Sequence, residues 1–317
     1  MRNATSILAN DAASTRTGPL EPRSFRPAWR PGRTLAESKP PLMRFSIITP
    51  SFRNSDWLKL CIASVRDQGV AVEHIVQDAG SDDGTLDWLC SDTRVRPFVE
   101  KDEGMYDAIN RGLRRASGEL LAYLNCDEQY LAGALAAVEA HFREHKDTDV
   151  LFCDAVVVDS KGNYLWHRKT LRPLPWHTWI CPLSVLTCAT FFRRSVVERG
   201  LLFDPRWRYV GDSAWVKRLL QARVQMGVLR RFTSAFTHSG GNLSLDPKAQ
   251  IEVAAYFQEA PRWLRAVRPA VLLHHRLRRW LGGIYSQRSF DFALYTQENL
   301  CRRTSRHVAR PVFRWRW

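Results

Sequence analysis

The sequence holds no run of about 18 apolar residues, which excludes a hydrophobic membrane-spanning helix. Its first residues contain no apolar core of a secretory leader, so a cytoplasmic protein is expected. Cysteine is present but unorganised. The seven thiols at 61, 90, 126, 153, 181, 188 and 301 are odd in number and scattered. The pair Cys181 and Cys188 has no zinc-type spacing, so free thiols in a reducing compartment are the reading. No G-x-G-x-x-G follows the first apolar run, which removes the dinucleotide-binding fingerprint. A nucleotidyltransferase would want a glycine-rich basic phosphate loop at the same place, and TPSFRNSD (49–56) has no glycine.

Net charge is missing from the middle of the chain. The net charge of 317 residues is +15, yet residues 1–44 carry +5 and residues 261–317 carry +11, leaving −1 for residues 45–260. Nucleic-acid binders concentrate cationic charge on the face of the folded body. A neutral body with basic ends argues against specific nucleic-acid recognition and for ends that meet an anionic surface.

Residues 1–43 are rich in Arg, Pro, Ser and Thr and are expected to form a disordered basic arm. From RFSIITPSF (44–52) onward, strand-like runs alternate with helical spacing. DWLKLCIASVRDQ (56–68) reads as a helix, VEHIVQDAG (72–80) as a strand, and SDDGTLDWLCS (81–91) as a helix capped by Ser81 or Asp82. VRPFVEKDEG (95–104) contains a third strand. GMYDAINRGLRRASG (104–118) reads as a helix stopped by Gly118, and ELLAYL (119–124) as a fourth strand. This alternation predicts a parallel sheet wrapped by helices. TDVLFCDAVVVDSKGNYLWHRK (148–169) reads as two strands around a turn at 161–163, and TCATFFR (187–193) as a buried strand. Residues 248–317 are expected to be a basic, largely helical extension of a domain spanning 44–247.

Parallel strands point one way, so their polar ends gather at one sheet edge, where α/β proteins bind ligands. Those ends carry Thr49, Pro50 and Ser51, then Asp78, then Asp102, then Asn125, Cys126, Asp127 and Glu128. All-oxygen sites of this kind favour hard cations such as Mg²⁺ or Mn²⁺, which bridge carboxylates to phosphates. Taken one at a time, each Asp is also a good cap or turn residue.

FSIITPSF, VQDAGSDDGT and EKDEGMYDAINRGLRRASGELLAYLNCDE, in this order and spacing, resemble the family 2 glycosyltransferases of GT-A fold. The likeness is to the bacterial branch that builds surface polysaccharides and lipid-linked glycans, and it covers roughly residues 44–245. It implies a Rossmann-like, mostly parallel sheet and transfer, with inversion, from a nucleotide sugar, UDP-linked by expectation, to a glycan or lipid-linked hydroxyl. It assigns Thr49, Pro50, Ser51, Asp78, Gly80, Ser81, Asp102, Gly104, Asn110, Asn125 and Cys126 to the donor site. Asp127 would hold a divalent metal, Mn or Mg. The usual Asp-x-Asp reads Asn125-Cys126-Asp127 here, which removes one charge. The catalytic base would be Asp212 in YVGDSAW (209–215), although the usual acidic pair reads Gly211-Asp212; the lesser alternative is that Asp212 only caps the following helix. A binding protein with weakened catalysis fits the same departures.

Three further features stay open. His238 in FTHSGG (236–241) would reach a phosphate or metal, or is structural. Trp166, Trp176 and Trp179 would stack on an acceptor, or pack the core. RWLRAVRPAVLLHHRLRRWLGGIY (262–285) mixes Arg with Trp and Leu, and Pro269 is expected to break or kink it. With Trp263, Val267, Val271, Leu277, Trp280 and Leu281 on one side, it would dock on an anionic membrane at the inner face, or pack on the domain with its arginines solvated.

Overall fold

A computed structural model describes residues 44–181, 185–238 and 246–314. The basic arm over 1–43 and most of the FTHSGGNLS loop lie outside the described residues. The chain opens with β1 (Phe45–Ser51), α1 (Ser55–Arg66), β2 (Val72–Asp78), α2 (Thr85–Leu89), β3 (Arg96–Val99), α3 (Met105–Arg115) and β4 (Leu120–Tyr123). Next come β5 (Gln129–Tyr130), α4 (Ala134–Glu144), β6 (Val150–Asp159), β7 (Tyr164–Arg168) and α5 (Pro175–Ile180). A 3₁₀ turn (Thr187–Ala189) leads into β8 (Thr190–Arg193), α6 (Arg194–Glu198), α7 (Gly211–Gln221) and β9 (Met226–His238). The chain ends with α8 (Pro247–Gln258), α9 (Arg262–Ala266), α10 (Arg268–Leu281), β10 (Phe290–Thr296) and β11 (Asn299–Val308).

Among the described residues the main sheet has the order β3-β2-β1-β4-β8-β6-β9-β5, with β7 added to β6. β1, β2, β3 and β4 run parallel, as their alternation with helices predicts. β8 enters antiparallel to both β4 and β6, so β6 points the same way as β4. Helices cover the sheet with apolar stripes. Phe45, Ile47, Leu120, Ala122, Leu135 and Phe142 form one core, and Ile48, Ile75, Ile109, Leu121 and Trp215 form another.

One buried carboxylate ties the parallel half together. Glu73 on β2 accepts from Ser46 Oγ on β1 (2.5 Å) and from both the backbone N–H and Oγ of Ser117 (2.7 and 2.9 Å). Arg96 on β3 closes the ring of donors. Burial alone would raise the Glu73 pKa, but the donors from Ser46, Ser117 and Arg96 outweigh it and hold the group at about 2.

Several expectations are corrected. The helix over 85–89 is capped by Gly84, not by Ser81 or Asp82. Ser81 is instead drawn to Asp78, and Asp83 accepts from Thr85. α3 ends at Arg115 on an extended Ala116, so Gly118 is not its stop. A Cβ on Gly118 would lie 2.6 Å from the β1 backbone, and that close approach is what requires glycine. In TCATFFR the first three residues coil into the 3₁₀ turn, and only Thr190–Arg193 are strand. Pro269 does not break the basic helix. The break falls at Val267, and Pro269 sits in the first turn of α10, where its missing N–H costs nothing.

The largest correction is at the C-terminus. Residues 290–308 form an antiparallel hairpin rather than helix. Phe290, Phe292 and Leu294 alternate with Asp291 and Ala293, a period-two pattern that buries one face, and Tyr295 on the other face is buried as well. That face packs on Leu131, Val156, Val158 and Ala235. The hairpin is a separate two-stranded sheet tied to the main one through a side chain: the amide of Gln129 on β5 exchanges two hydrogen bonds with the Tyr295 backbone, both 2.9 Å. Arg303 also pairs with Asp67 at 2.6 Å.

Replacing Glu73 by Gln should lower unfolding free energy by roughly 2–3 kcal/mol in denaturant titration, since it weakens several charge-assisted bonds at once. The sign with pH follows from the lowered pKa. The contribution of Glu73 is complete above the usual carboxylate range and is lost as pH falls toward about 2. An unchanged midpoint in the variant, or an acid-side difference that grows on acidification, would contradict this role.

Candidate active site

The register of the parallel strands sets the site. Ser51 is paired with Asp78 across β1 and β2, and Ile48 with Tyr123 across β1 and β4. Ser51, Asp78 and the segment from Asn125 therefore leave the sheet side by side. Pro50 lies beyond the last β1–β4 pair, so its missing N–H leaves no gap in that ladder.

Asp78 is buried and shaped by its own loop. Its Oδ1 accepts from the N–H groups of Gly80 (2.9 Å) and Ser81 (2.7 Å), and its Oδ2 from Ser81 Oγ (2.8 Å). Ser81 Oγ accepts from Arg53 N–H at 2.8 Å, which joins the loops after β1 and β2. Asp102 accepts from Gly104 N–H at 2.9 Å, and burial raises its pKa. Cys126 Sγ receives the Asn54 amide at 3.1 Å.

Two sequence-assigned residues point elsewhere. Thr49 is wholly buried, with its hydroxyl on His74 (2.9 Å) and Cys61 (3.6 Å). Asn110 holds the Phe203 backbone at both ends of its amide, at 2.8 and 3.0 Å. Both side chains are engaged in holding the fold.

By contrast, Ser51 Oγ and Asn125 Oδ1 are buried without a hydrogen-bond partner. Orphaned polar atoms are rare in folded proteins, and these two stand at the ends of adjacent parallel strands. Asp127 stands beside them, and burial raises its pKa. Glu128 is fully buried; burial and the nearby Asp127 charge raise its pKa, while the Asn125 N–H donates to it at 2.8 Å. The Asp212 charge also reaches Glu128, so Asp127, Glu128 and Asp212 share one field. Among the described residues no three His, Cys, Asp or Glu side chains converge as a metal cage. The hard donors present are the Asp127 carboxylate and the orphaned Asn125 oxygen, which suits a cation that completes its shell with phosphate and water.

Asp212 does not cap its helix: Val210 is the cap residue of α7, and no side-chain cap bond is made. The carboxylate turns into a cradle of hydroxyls. Oδ1 accepts from Tyr106 (2.7 Å) and Tyr123 (2.8 Å), and Oδ2 from Thr187 (3.2 Å). Burial raises its pKa and outweighs these three donors. Burial and the Asp212 charge keep both tyrosines protonated, so they remain donors. The glycine standing in place of an acid at 211 has a steric cause: a Cβ there would lie 2.3 Å from the Tyr106 ring. Tyr106, Tyr123 and Thr187 were not legible in the sequence, being 106, 89 and 25 residues from Asp212.

The remaining candidates divide. Trp179 is packed against Tyr256, with Lys217 over its ring at 4.0 Å. Trp166 lies against His238 at the end of β9 (5.6 Å between centroids), and Trp176 is exposed.

This arrangement of sheet and rim has counterparts. Residues 46–201 match the family described as Glycosyl transferase family 2. A PGL/p-HBAD biosynthesis glycosyltransferase of Mycobacterium bovis is 33% identical over 176 residues, covering 53% of this chain and 66% of its own. The chain thus spans just under two thirds of that relative's length. Among solved structures, S. aureus TarS 1–349 in complex with UDP-GlcNAc superposes with a TM-score of 0.53 at 17% identity, covering 75% of this chain and 73% of its own. The mannosyltransferase PcManGT from Pyrobaculum calidifontis, in complex with GDP-Man and Mn²⁺, does so with a TM-score of 0.53 at 14% identity, covering 78% and 76%. At such identities the likeness is one of fold, and the fold is the GT-A fold of glycosyltransferases. Residues 46–201 are a family 2 glycosyltransferase domain, and Asp212 lies eleven residues beyond the matched stretch.

Gly211→Ala should cost roughly 1–3 kcal/mol of stability by forcing the Tyr106 ring aside. Equilibrium unfolding checks this, and a variant as stable as the parent would mean that the ring yields freely.

Proposed function

We propose that the chain transfers a sugar from a nucleotide-sugar donor, UDP-linked, to a hydroxyl of a glycan or lipid-linked acceptor, with inversion at the anomeric carbon. The observation that carries this reading is the pair of orphaned acceptors, Ser51 Oγ and Asn125 Oδ1, beside Asp127 at the ends of adjacent parallel strands. The donor lies along this rim, with Ser51, the Asp78–Ser81 loop, Asp102 and Gly104 around its nucleoside and Asn125 to Asp127 facing its diphosphate. Asp127 and the Asn125 oxygen are the groups that would hold a divalent cation, Mn or Mg. When bound, such an ion neutralises the charge that develops on a diphosphate leaving group.

Asp212 is the general base. Oδ1 is engaged by two tyrosine hydroxyls, whereas Oδ2 accepts among the described residues only the longer Thr187 bond, at 3.2 Å, and keeps a lone pair for the acceptor hydroxyl. As the acceptor oxygen forms its bond to the anomeric carbon, its proton passes to Asp212, and the bond to the diphosphate oxygen breaks. A base whose pKa is raised by burial accepts that proton more readily, and the tyrosines fix its orientation. The partner of the cationic C-terminal segment in this reading is an anionic membrane that presents the acceptor.

Two experiments test the reading. In a panel of UDP-, GDP- and dTDP-sugars, binding should need Mn²⁺ or Mg²⁺ and be lost in Asp127→Asn. Asp212→Asn should bind the donor as the parent does and lose about 100-fold or more in turnover. Binding with no turnover in the parent would leave a nucleotide-sugar-binding protein, and no binding at all would sink both readings. Tyr106→Phe removes a bond that lowers the Asp212 pKa, so the acid limb of kcat/KM should move to higher pH. An unmoved limb would assign the base elsewhere.

A further inference from the structure

The helix α10 is inside out. The residues it turns toward the protein are Val271, His275 and Arg279, at 5%, 4% and 3% exposure. The residues it turns to solvent are Leu273, Leu277, Trp280 and Leu281, at 69%, 49%, 68% and 69%. These four are spaced i, i+4, i+7 and i+8, so they form one apolar stripe, with Arg276 exposed on its flank. The sequence expectation placed Val271 on the apolar side with Leu277 and put the arginines opposite. The structure reverses this in part, because Val271 and Arg279 both face inward.

The polar inner face is held by partners. His177 on α5 has ring nitrogens 3.0 Å from His274 and 3.2 Å from His275, and Arg278 Nη2 donates to the Arg172 carbonyl at 3.2 Å. These bonds fix the rotation of α10 and so keep the leucines outward. Beside the stripe runs an apolar groove of about 320 Å³ walled by Trp176, Trp263, Val267, Ala270, Val271 and His274. A continuous exposed apolar surface of this kind, on an ordered helix, marks an interaction site.

We propose that this face, made by α9 and α10 with Trp176, is a docking surface for an anionic lipid bilayer, with the Leu273–Leu281 stripe and Trp263 seated among the acyl chains. Charge complementarity selects the occupant. Residues 261–317 carry thirteen arginines against two acids, Asp291 and Glu298. Arg262, Arg268 and Arg276 are exposed around the apolar stripe. A second copy seated on this face would bring cationic surfaces together, whereas an anionic membrane offers both hydrocarbon and negative charge. Among the described residues no helix is long and apolar enough to cross the membrane, so the mode is one of lying on the surface. This gives the membrane of the proposed reading a definite place on the molecule. Because it is scored without donor, its failure and the failure of the transferase reading are separable.

The full chain is co-sedimented with vesicles of phosphatidylcholine alone and of phosphatidylcholine with phosphatidylglycerol. Binding is expected to the anionic vesicles and to weaken with salt. Leu273→Ser combined with Leu277→Ser should reduce the partition coefficient roughly tenfold or more at unchanged Tm, since both side chains are exposed. Trp280→Ser is the independent variant should the double substitution lower the Tm. Arg276→Glu should weaken binding at low salt more than at high salt. A parent that stays in solution with anionic vesicles at low salt overturns the proposal. So does a double variant that binds as tightly as the parent, which would leave only adhesion through the basic ends. So does a parent dimer that the double variant dissolves, which would make a second copy the occupant.

Discussion

The shared direction and register of β1, β2 and β4 is the constraint on which the rest of this molecule depends. Because Ser51 is level with Asp78, and Ile48 with Tyr123, three chain segments leave the sheet at one edge within reach of each other. Everything chemical in the chain is then a matter of what those segments carry. Glu73, deep at the opposite end of the same strands, supports this by binding β1, β3 and the turn before β4 through one carboxylate.

The site gathers acids without matching them with bases. Asp78 is satisfied by backbone amides and a serine, Asp212 by two tyrosines and a threonine, and Glu128 by a backbone amide. Hydroxyls and amides stabilise a carboxylate by direction rather than by opposite charge, so the negative field of the site is not cancelled from within. Such a field favours a cationic guest and disfavours a bare diphosphate, which ties donor binding in the proposed reading to a metal. The same neutral donors leave the pKa of Asp212 raised, because burial is not countered by a guanidinium.

The outline of the parallel half was legible because it is written locally. Apolar runs of strand length end in Asp or Asn, and the helices between them have a 3.6-residue stripe. The cradle of Asp212 was not, because Tyr106, Tyr123 and Thr187 reach it from distant elements and nothing in their own neighbourhoods marks them. The C-terminal hairpin was obscured by its second strand, where Arg306 stands opposite Phe292 and Thr304 opposite Leu294, so that strand shows no apolar alternation of its own. The orientation of α10 was beyond periodicity altogether. A stripe in the sequence reports that one side of a helix is apolar, not which way that side faces. Here the inward side is decided by His177 and Arg172, about a hundred residues earlier.

The exchange of two hydrogen bonds between Gln129 and the Tyr295 backbone has a consequence for the chain as it is made. The segment that follows Glu128 is braced by Tyr295, far along the chain, and the apolar face of β6 and β9 stays bare until β10 and β11 arrive. On the ribosome, synthesis of the final strands is separated from that of the acidic turn by more than 160 residues, several seconds or more of elongation. The nascent chain must therefore carry an unfinished centre throughout that interval.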